Sequence, residues 1–284
     1  MQIARVGVIG GGTMGSGIAE VCARAGLQTA VVEASDEFLE AAKERIEGSM
    51  ERAVSRGRLE GEVRNAAVEA LSYGTDLEGL RDCQLVIEAV IENRDLKLDL
   101  FSQLDSIVGD EAILASNTSS IPIVELGAVT QRPGRVLGLH FFNPATVQPL
   151  VEVVRSATTS DEAMDRAERL VVDQLEKTTI RCRDRAGFVV NRLLVPFLLQ
   201  AIELLDTSDA QPVDIDQGMK LGCAHPMGPL ELCDLIGLDT IEAVAEVLYD
   251  EFHERFYAPP PLLRRMVSAG QLGRKTGRGF YDYS

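Results

Sequence analysis

Basic residues are scarce: 28 lysines and arginines stand against 44 aspartates and glutamates, a formal charge of −16 over 284 residues. That imbalance argues against nucleic acid or an anionic membrane surface as the main partner. A phosphate-bearing ligand must then be held by backbone donors or by individually placed cations. No stretch stays apolar for the length of a membrane span. Histidine is rarer still. His140, His225 and His253 lie far apart and share no metal-ligand spacing, so no metal is expected. Five cysteines (Cys22, Cys83, Cys182, Cys223 and Cys233) are odd in number, scattered and without a C-x-x-C pair, which points to reduced structural thiols. The first residues show no basic leader and no small-residue cleavage site, and the expected compartment is the cytoplasm.

Glycine, in contrast, is concentrated where it carries meaning. Residues 3–9 form a short apolar run with strong β propensity, followed by Gly10-Gly11-Gly12-Thr13-Met14-Gly15 and then a helical pattern through Ile18, Val21 and Cys22. This is G-x-G-x-x-G between a strand and a helix. Gly10 suits a tight turn, Gly12 a close approach of backbone to a pyrophosphate, and Gly15 close packing of helix on strand. Glu33 ends the next β run about 20 residues on, where a carboxylate can hydrogen-bond a ribose 2′-hydroxyl and repel a 2′-phosphate. The expected cofactor is therefore NAD, with NADP disfavoured.

Ser35 is placed to cap a long helix with Asp36 and Glu37 in its first turn and apolar positions at Phe38, Ile46 and Met50. A second helix over residues 60–70 completes a helical insertion containing Lys43, Arg45, Arg52, Arg56 and Arg58, interleaved with Glu40, Glu44, Glu47 and Glu51. A salt-bridged surface and a flap meeting a phosphate-bearing substrate both fit this pattern. Further apolar runs at residues 85–89, 113–116 and 136–140 read as buried strands, ending near Glu92, Ser119 and His140. In open parallel sheets ligands bind beyond the carboxyl ends of the strands, and Gly10, Glu33, Glu92, Ser119 and His140 all fall at that edge. Glu152 lies in the next β run. His140 and Glu152 are readable as a base with its orienting carboxylate, or as a packed histidine and a solvated glutamate.

A helix is expected over residues 161–175 and a last β run over 178–182. From Gly187 the apolar spacing is helical throughout. The expected organisation is α/β: a Rossmann-type, mostly parallel sheet domain over residues 1–183 with an inserted helical flap, followed by an all-α C-terminal domain over 184–284. Helices are expected over 213–221 and 240–249, with breaks at Pro226, Gly228 and Pro229 and a turn at Pro259-Pro260-Pro261. The basic, glycine-rich segment 273–281 reads either as a flexible tail or as a segment returning to phosphates.

These motifs, in this order, resemble the 3-hydroxyacyl-CoA dehydrogenases, and among them the short bacterial 3-hydroxybutyryl-CoA dehydrogenases, over nearly the whole length. The resemblance rests on the glycine loop, Ala115-Ser116-Asn117-Thr118-Ser119-Ser120, His140-Phe141-Phe142-Asn143-Pro144, Leu150-Val151-Glu152-Val153, Gly187-Phe188-Val189-Val190-Asn191-Arg192, His225-Pro226-Met227-Gly228-Pro229-Leu230 and Gly273-Arg274-Lys275-Thr276-Gly277. It implies that His140 is the general base for a substrate 3-hydroxyl and Glu152 its partner, with Ser119 and Asn191 at the reacting oxygen. It implies NAD contacts from Gly10, Gly12, Thr13, Met14, Gly15, Glu33, Glu92, Lys97, Ser119, Asn143 and Lys275. Ser49, Arg56 and Lys97, with Ser119 and Asn191, match positions that meet the acyl-CoA. A homodimer through the helical domain is implied as well.

Thr146 and Gln148-Pro149 depart from the residues common in relatives, just before Glu152, and leave chain-length preference open. His225 reads as structural, beside Pro226 and the turn at Met227-Gly228. Two other functions stay in view: dehydrogenation of another 3-hydroxyacyl thioester, such as a carrier-bound one, and a non-catalytic dinucleotide-binding protein.

Overall fold

The computed structural model describes residues 2–284, which divide into two compact units, one ending at Arg185 and the other running from Ala186 to Ser284. The first is built on eight strands: β1 (Arg5–Ile9), β2 (Gln28–Val32), β3 (Leu71–Gly74), β4 (Leu85–Glu88), β5 (Ile113–Ser116), β6 (Val136–Phe141), β7 (Leu150–Arg155) and β8 (Thr178–Arg183). They form one sheet in the order β3-β2-β1-β4-β5-β6-β7-β8. Every neighbouring pair is parallel except β6 and β7. The helices of this unit are α1 (Thr13–Arg24), α2 (Asp36–Ser55), α3 (Gly61–Ala70), α4 (Arg94–Ile107), α5 (Ile123–Ala128) and α6 (Asp161–Arg169). This is a Rossmann-type domain, mostly parallel as the apolar runs require.

The central strands β4, β5 and β6 are buried along their whole length. Val6, Val8, Leu85, Ile87, Ile113, Leu137 and Leu139 belong to one continuous core with Ile18, Cys22, Ile46 and Met50 from the helices. Each such aliphatic side chain contributes roughly 1.5–3 kcal/mol on burial, so the strand ends that carry polar residues sit on a stiff platform.

Three local expectations need correction. Phe38 is 57% exposed, because the face of α2 turned to the core carries Ala42, Ile46 and Met50. The helix expected over 161–175 keeps α geometry only to Arg169 and continues as a π-helical turn, Leu170–Gln174. In the second unit the expected breaks are present, but Pro229 and Pro261 also open helices that the sequence reading did not include.

That unit consists of α7 (Val190–Thr207), α8 (Pro212–Cys223), α9 (Pro229–Ile236), α10 (Leu238–Phe252) and α11 (Pro261–Ser268). Pro229 and Pro261 stand at first-turn positions, where the missing N–H has no intrahelical partner to lose. Leu198, Ile202, Leu230, Leu238, Ile241, Leu248 and Leu263 form its separate core. The segment after Gly273 is folded onto α9 and is not a loose tail. Asp234 accepts hydrogen bonds from the backbone N–H groups of Phe280 and Tyr281 at 3.0 Å each and from the Tyr283 hydroxyl at 3.1 Å. Asp216 accepts from Leu230 N–H (2.8 Å), Glu231 N–H (2.9 Å) and the Tyr281 hydroxyl (2.7 Å). A Cβ at Gly279 would stand 1.9 Å from the Asp234 carboxylate, so no larger residue fits there.

Candidate active site

The glycine loop leaves β1 through Gly10, whose φ of 89° is the left-handed region that favours glycine. A Cβ at Gly15 would lie 1.6 Å from the Gly10 carbonyl oxygen, so α1 can start this close to the turn with glycine alone. At Gly12 a Cβ would meet nothing within 4 Å. Gly12 and Thr13 are exposed and Met14 is packed against the core, so the first turn of α1 opens outward with its N–H groups at the loop. That is a fit for the pyrophosphate of a dinucleotide. Glu33, just past β2, accepts from Gly11 N–H at 2.6 Å and from Ala34 N–H at 3.1 Å. Arg45 reaches from α2 to donate to the Gly11 carbonyl. Arg45 thus joins the inserted helix to the nucleotide loop, a contact that its place in a mixed-charge stretch does not announce.

At the end of β6 the one antiparallel pairing places His140 directly opposite Glu152. Opposed side chains in such a pair stand about 4.5–5.5 Å apart at Cβ, and here Nδ1 of the imidazole lies 2.6 Å from Oε2 of Glu152. Glu152 is fully buried and His140 nearly so. A carboxylate can only accept, so this contact places the ring proton on Nδ1 and makes Nε2 the nitrogen able to take up another. Phe142 flanks the ring edge-on at 4.7 Å between centroids. Asn117 Oδ1 accepts from Phe141 N–H at 2.9 Å and so pins the strand end. The Cys182 thiol on β8 donates to Oε1 of Glu152 at 3.7 Å. Asn117 and Cys182 carry no sequence signal for these roles, because only the strand order brings them to the pair.

Glu92, beyond β4, gathers the loop after β5. It accepts from the Thr118 hydroxyl, from the Ser120 hydroxyl at 2.7 Å and from Ser119 N–H at 3.3 Å. Lys97 is 1% exposed, with its ammonium 2.6 Å from Glu92 and 3.1 Å from Glu88. Burial pushes the Glu88 carboxyl above the usual carboxylate range despite the opposing pull of Lys97 and Ser116. Burial acts the same way on Glu92, but Lys97 and the hydroxyls of Thr118 and Ser120 outweigh it and hold Glu92 below that range. A charge inside the apolar run Leu85-Val86-Ile87-Glu88 was the available sequence signal for this cluster, since such a charge needs a partner.

Asn143 is exposed in the turn after β6. Ser49 lies on α2 and Arg56 caps its C-terminal end. Thr146 lines a cavity of about 390 Å³ with Val21, Leu59, Val63 and Leu175. In the helical unit Asn191 stands in the first turn of α7. Lys275 follows Arg274 in a short turn, with its ammonium 2.5 and 2.6 Å from the two oxygens of Asp239. His225 packs against Phe197 with centroids 5.5 Å apart and the rings tilted by 58°, in keeping with a packing role. Among the described residues no group of three or more His, Cys, Asp or Glu side chains is arranged to hold a metal.

Residues 5–185 match the family model described as "3-hydroxyacyl-CoA dehydrogenase, NAD binding domain", and residues 187–283 match its C-terminal domain. The chain belongs to the 3-hydroxyacyl-CoA dehydrogenase family. It is 53% identical to a 3-hydroxybutyryl-CoA dehydrogenase of Mycobacterium tuberculosis over 282 residues, covering 99% of each chain. A probable 3-hydroxybutyryl-CoA dehydrogenase of Deinococcus radiodurans is 47% identical, covering 98% of this chain and all of the relative. The crystal structure of (S)-3-hydroxybutyryl-CoA dehydrogenase from Ralstonia eutropha superposes with a TM-score of 0.95 at 47% identity over the whole of both chains. In this family member, then, the outward-opening glycine loop belongs to the NAD-binding domain, and the His140–Glu152 pair stands on the same sheet.

Proposed function

We propose that this dehydrogenase interconverts (3S)-hydroxyacyl-CoA and 3-oxoacyl-CoA, with 3-hydroxybutyryl-CoA and acetoacetyl-CoA as the short-chain pair. The observation that carries the chemistry is the 2.6 Å contact between His140 Nδ1 and Glu152. When bound, NAD supplies the acceptor for the hydride leaving C3. Nε2 of His140 takes the proton of the 3-hydroxyl as the C3–H bond breaks and the carbonyl forms. Glu152 holds the tautomer and stabilises the imidazolium. In reduction the imidazolium returns that proton to the oxygen. Ser119 and Asn191 hydrogen-bond the reacting oxygen.

The nucleotide contacts come from Gly10, Gly12, Thr13, Met14, Gly15, Glu33, Glu92, Asn143 and Lys275, and the acyl-CoA is met by Ser49, Arg56 and Lys97. The outward-facing glycine loop and the Arg45 link to α2 support this division. Glu33 selects NAD over NADP by occupying the place a 2′-phosphate would need. The enzyme works in the cytoplasm, in keeping with five scattered cysteines and no C-x-x-C pair. It forms a homodimer through the helical unit, supported by the exposed Leu193, Leu204, Leu221 and Leu235 there.

Reduction of acetoacetyl-CoA, measured with NADH and NADPH at equal concentration across a panel of acyl chain lengths, tests the reading. Fastest turnover with NADH and the four-carbon substrate is expected. Absence of turnover with every acyl-CoA refutes the activity, and preference for NADPH refutes the role of Glu33.

A further inference from the structure

Glu88 ends β4 as a fully buried carboxylate outside the machinery assigned above. In the parallel register of β4 and β5 its neighbour is Ser116, whose hydroxyl donates to Glu88 Oε2 at 2.6 Å. Glu88 Oε1 accepts from Val90 N–H at 2.7 Å and stands 3.1 Å from the Lys97 ammonium. Lys97 carries the connection to Glu92, which holds Thr118, Ser119 and Ser120. The Ser116 hydroxyl oxygen accepts in turn from Thr118 N–H at 3.1 Å. Thr118 Oγ1 accepts from Ser120 N–H at 3.2 Å and Ile121 N–H at 2.9 Å. Residues 116–121 are thus tied on one side through Ser116 to Glu88 and on the other to Glu92, and Lys97 joins the two carboxylates.

Two buried or half-buried carboxylates around one ammonium are a costly way to fill space, since an apolar side chain at Glu88 would spare the desolvation. What the cluster provides is a fixed position for the loop. We propose that Glu88 is a positioning residue: through Ser116 and Lys97 it sets where Ser119 presents its hydroxyl to the reacting oxygen. Lys97 is then a strut between two carboxylates as well as a residue near the ligands. The inference rests on the dehydrogenase reading with Ser119 at that oxygen.

The test uses acetoacetyl-CoA reduction by the full-length enzyme, with Glu88→Gln, Ser119→Ala and the double variant. Glu88→Gln keeps the shape of the side chain and removes its charge. Its kcat should fall about 10-fold with KM for NADH within about twofold. In the Ser119→Ala background the same change should cost less than about twofold, because residues acting through one another are not additive. Ser116→Ala cuts the other link and should reproduce the pattern, with urea unfolding confirming that each variant is folded. Equal costs in both backgrounds, a loss carried by KM for NADH, or unchanged kcat in folded Glu88→Gln overturns the inference while the wild type still turns over. An inactive wild type instead removes the reading on which the inference rests.

Discussion

Carboxylates in the nucleotide-binding unit face titratable nitrogen groups: buried Glu152 meets the His140 imidazole, and buried Glu88 and the more exposed Glu92 meet the Lys97 ammonium. In the helical unit Asp216 and Asp234 are just as buried, yet they collect backbone amides and tyrosine hydroxyls. An amide cannot exchange a proton during turnover, and a tyrosine beside a carboxylate holds its own more tightly: burial and then Asp216 push the Tyr281 hydroxyl upward. An imidazole can change charge on each cycle. Burial alone therefore does not mark chemistry. The partner's ability to change protonation state does.

The sharpest break of this contrast is at the imidazole. Replacing His140 by Gln should lower kcat by about 10³-fold, within the range a positioned general base supplies, while fluorescence titration of NADH gives an unchanged affinity. At Asp216 the opposite separation is expected. Asp216→Asn turns donors toward donors and should cost about 1–3 kcal/mol of unfolding free energy by urea titration. Its kcat in the folded protein should stay within about twofold.

Asp234 gives a pH signature. Burial raises its carboxyl above the ordinary 3.8, although the amides of Phe280 and Tyr281 pull the other way. The folded chain then keeps this proton to higher pH than the unfolded chain. The stability contributed is complete below 3.8 and is lost as pH rises through the folded value. Unfolding free energy measured against pH should show that falling segment in the wild type and lose it in Asp234→Asn. The smallest effect is expected at Cys182, a weak donor to Glu152. Cys182→Ala should change kcat about twofold, and Cys182→Ser should restore it.

What could be read from the chain were single polar residues at the ends of apolar runs. Gly10 to Gly15, Glu33 and His140 announce themselves because each stands where a buried strand stops. The His140–Glu152 contact needed one more fact, the antiparallel turn of β7, which no local pattern specifies. The Glu88–Lys97–Glu92 cluster depends on β4 lying beside β5, a matter of strand order. Phe38 was misplaced because hydrophobicity does not say which side of α2 meets the sheet. The helices opened by Pro229 and Pro261 are not legible because a proline that follows one helix and one that opens the next look alike in sequence. The closing segment reads two ways in sequence because its anchors, Asp216 and Asp234, lie far back along the chain.

The reversal of direction at β7 makes the His140–Glu152 pair, proposed above as catalytic, a single rung of a ladder. Val151 and Val153 flank Glu152 along that strand and point to the opposite face. A slip of one residue would therefore put valine against the imidazole and bury the glutamate among aliphatic side chains on the other side. Catalytic competence in this enzyme is all-or-none with respect to strand register. The loop between the strands, 142–149, adds Phe142 beside the imidazole, but the meeting of His140 and Glu152 depends on the register alone.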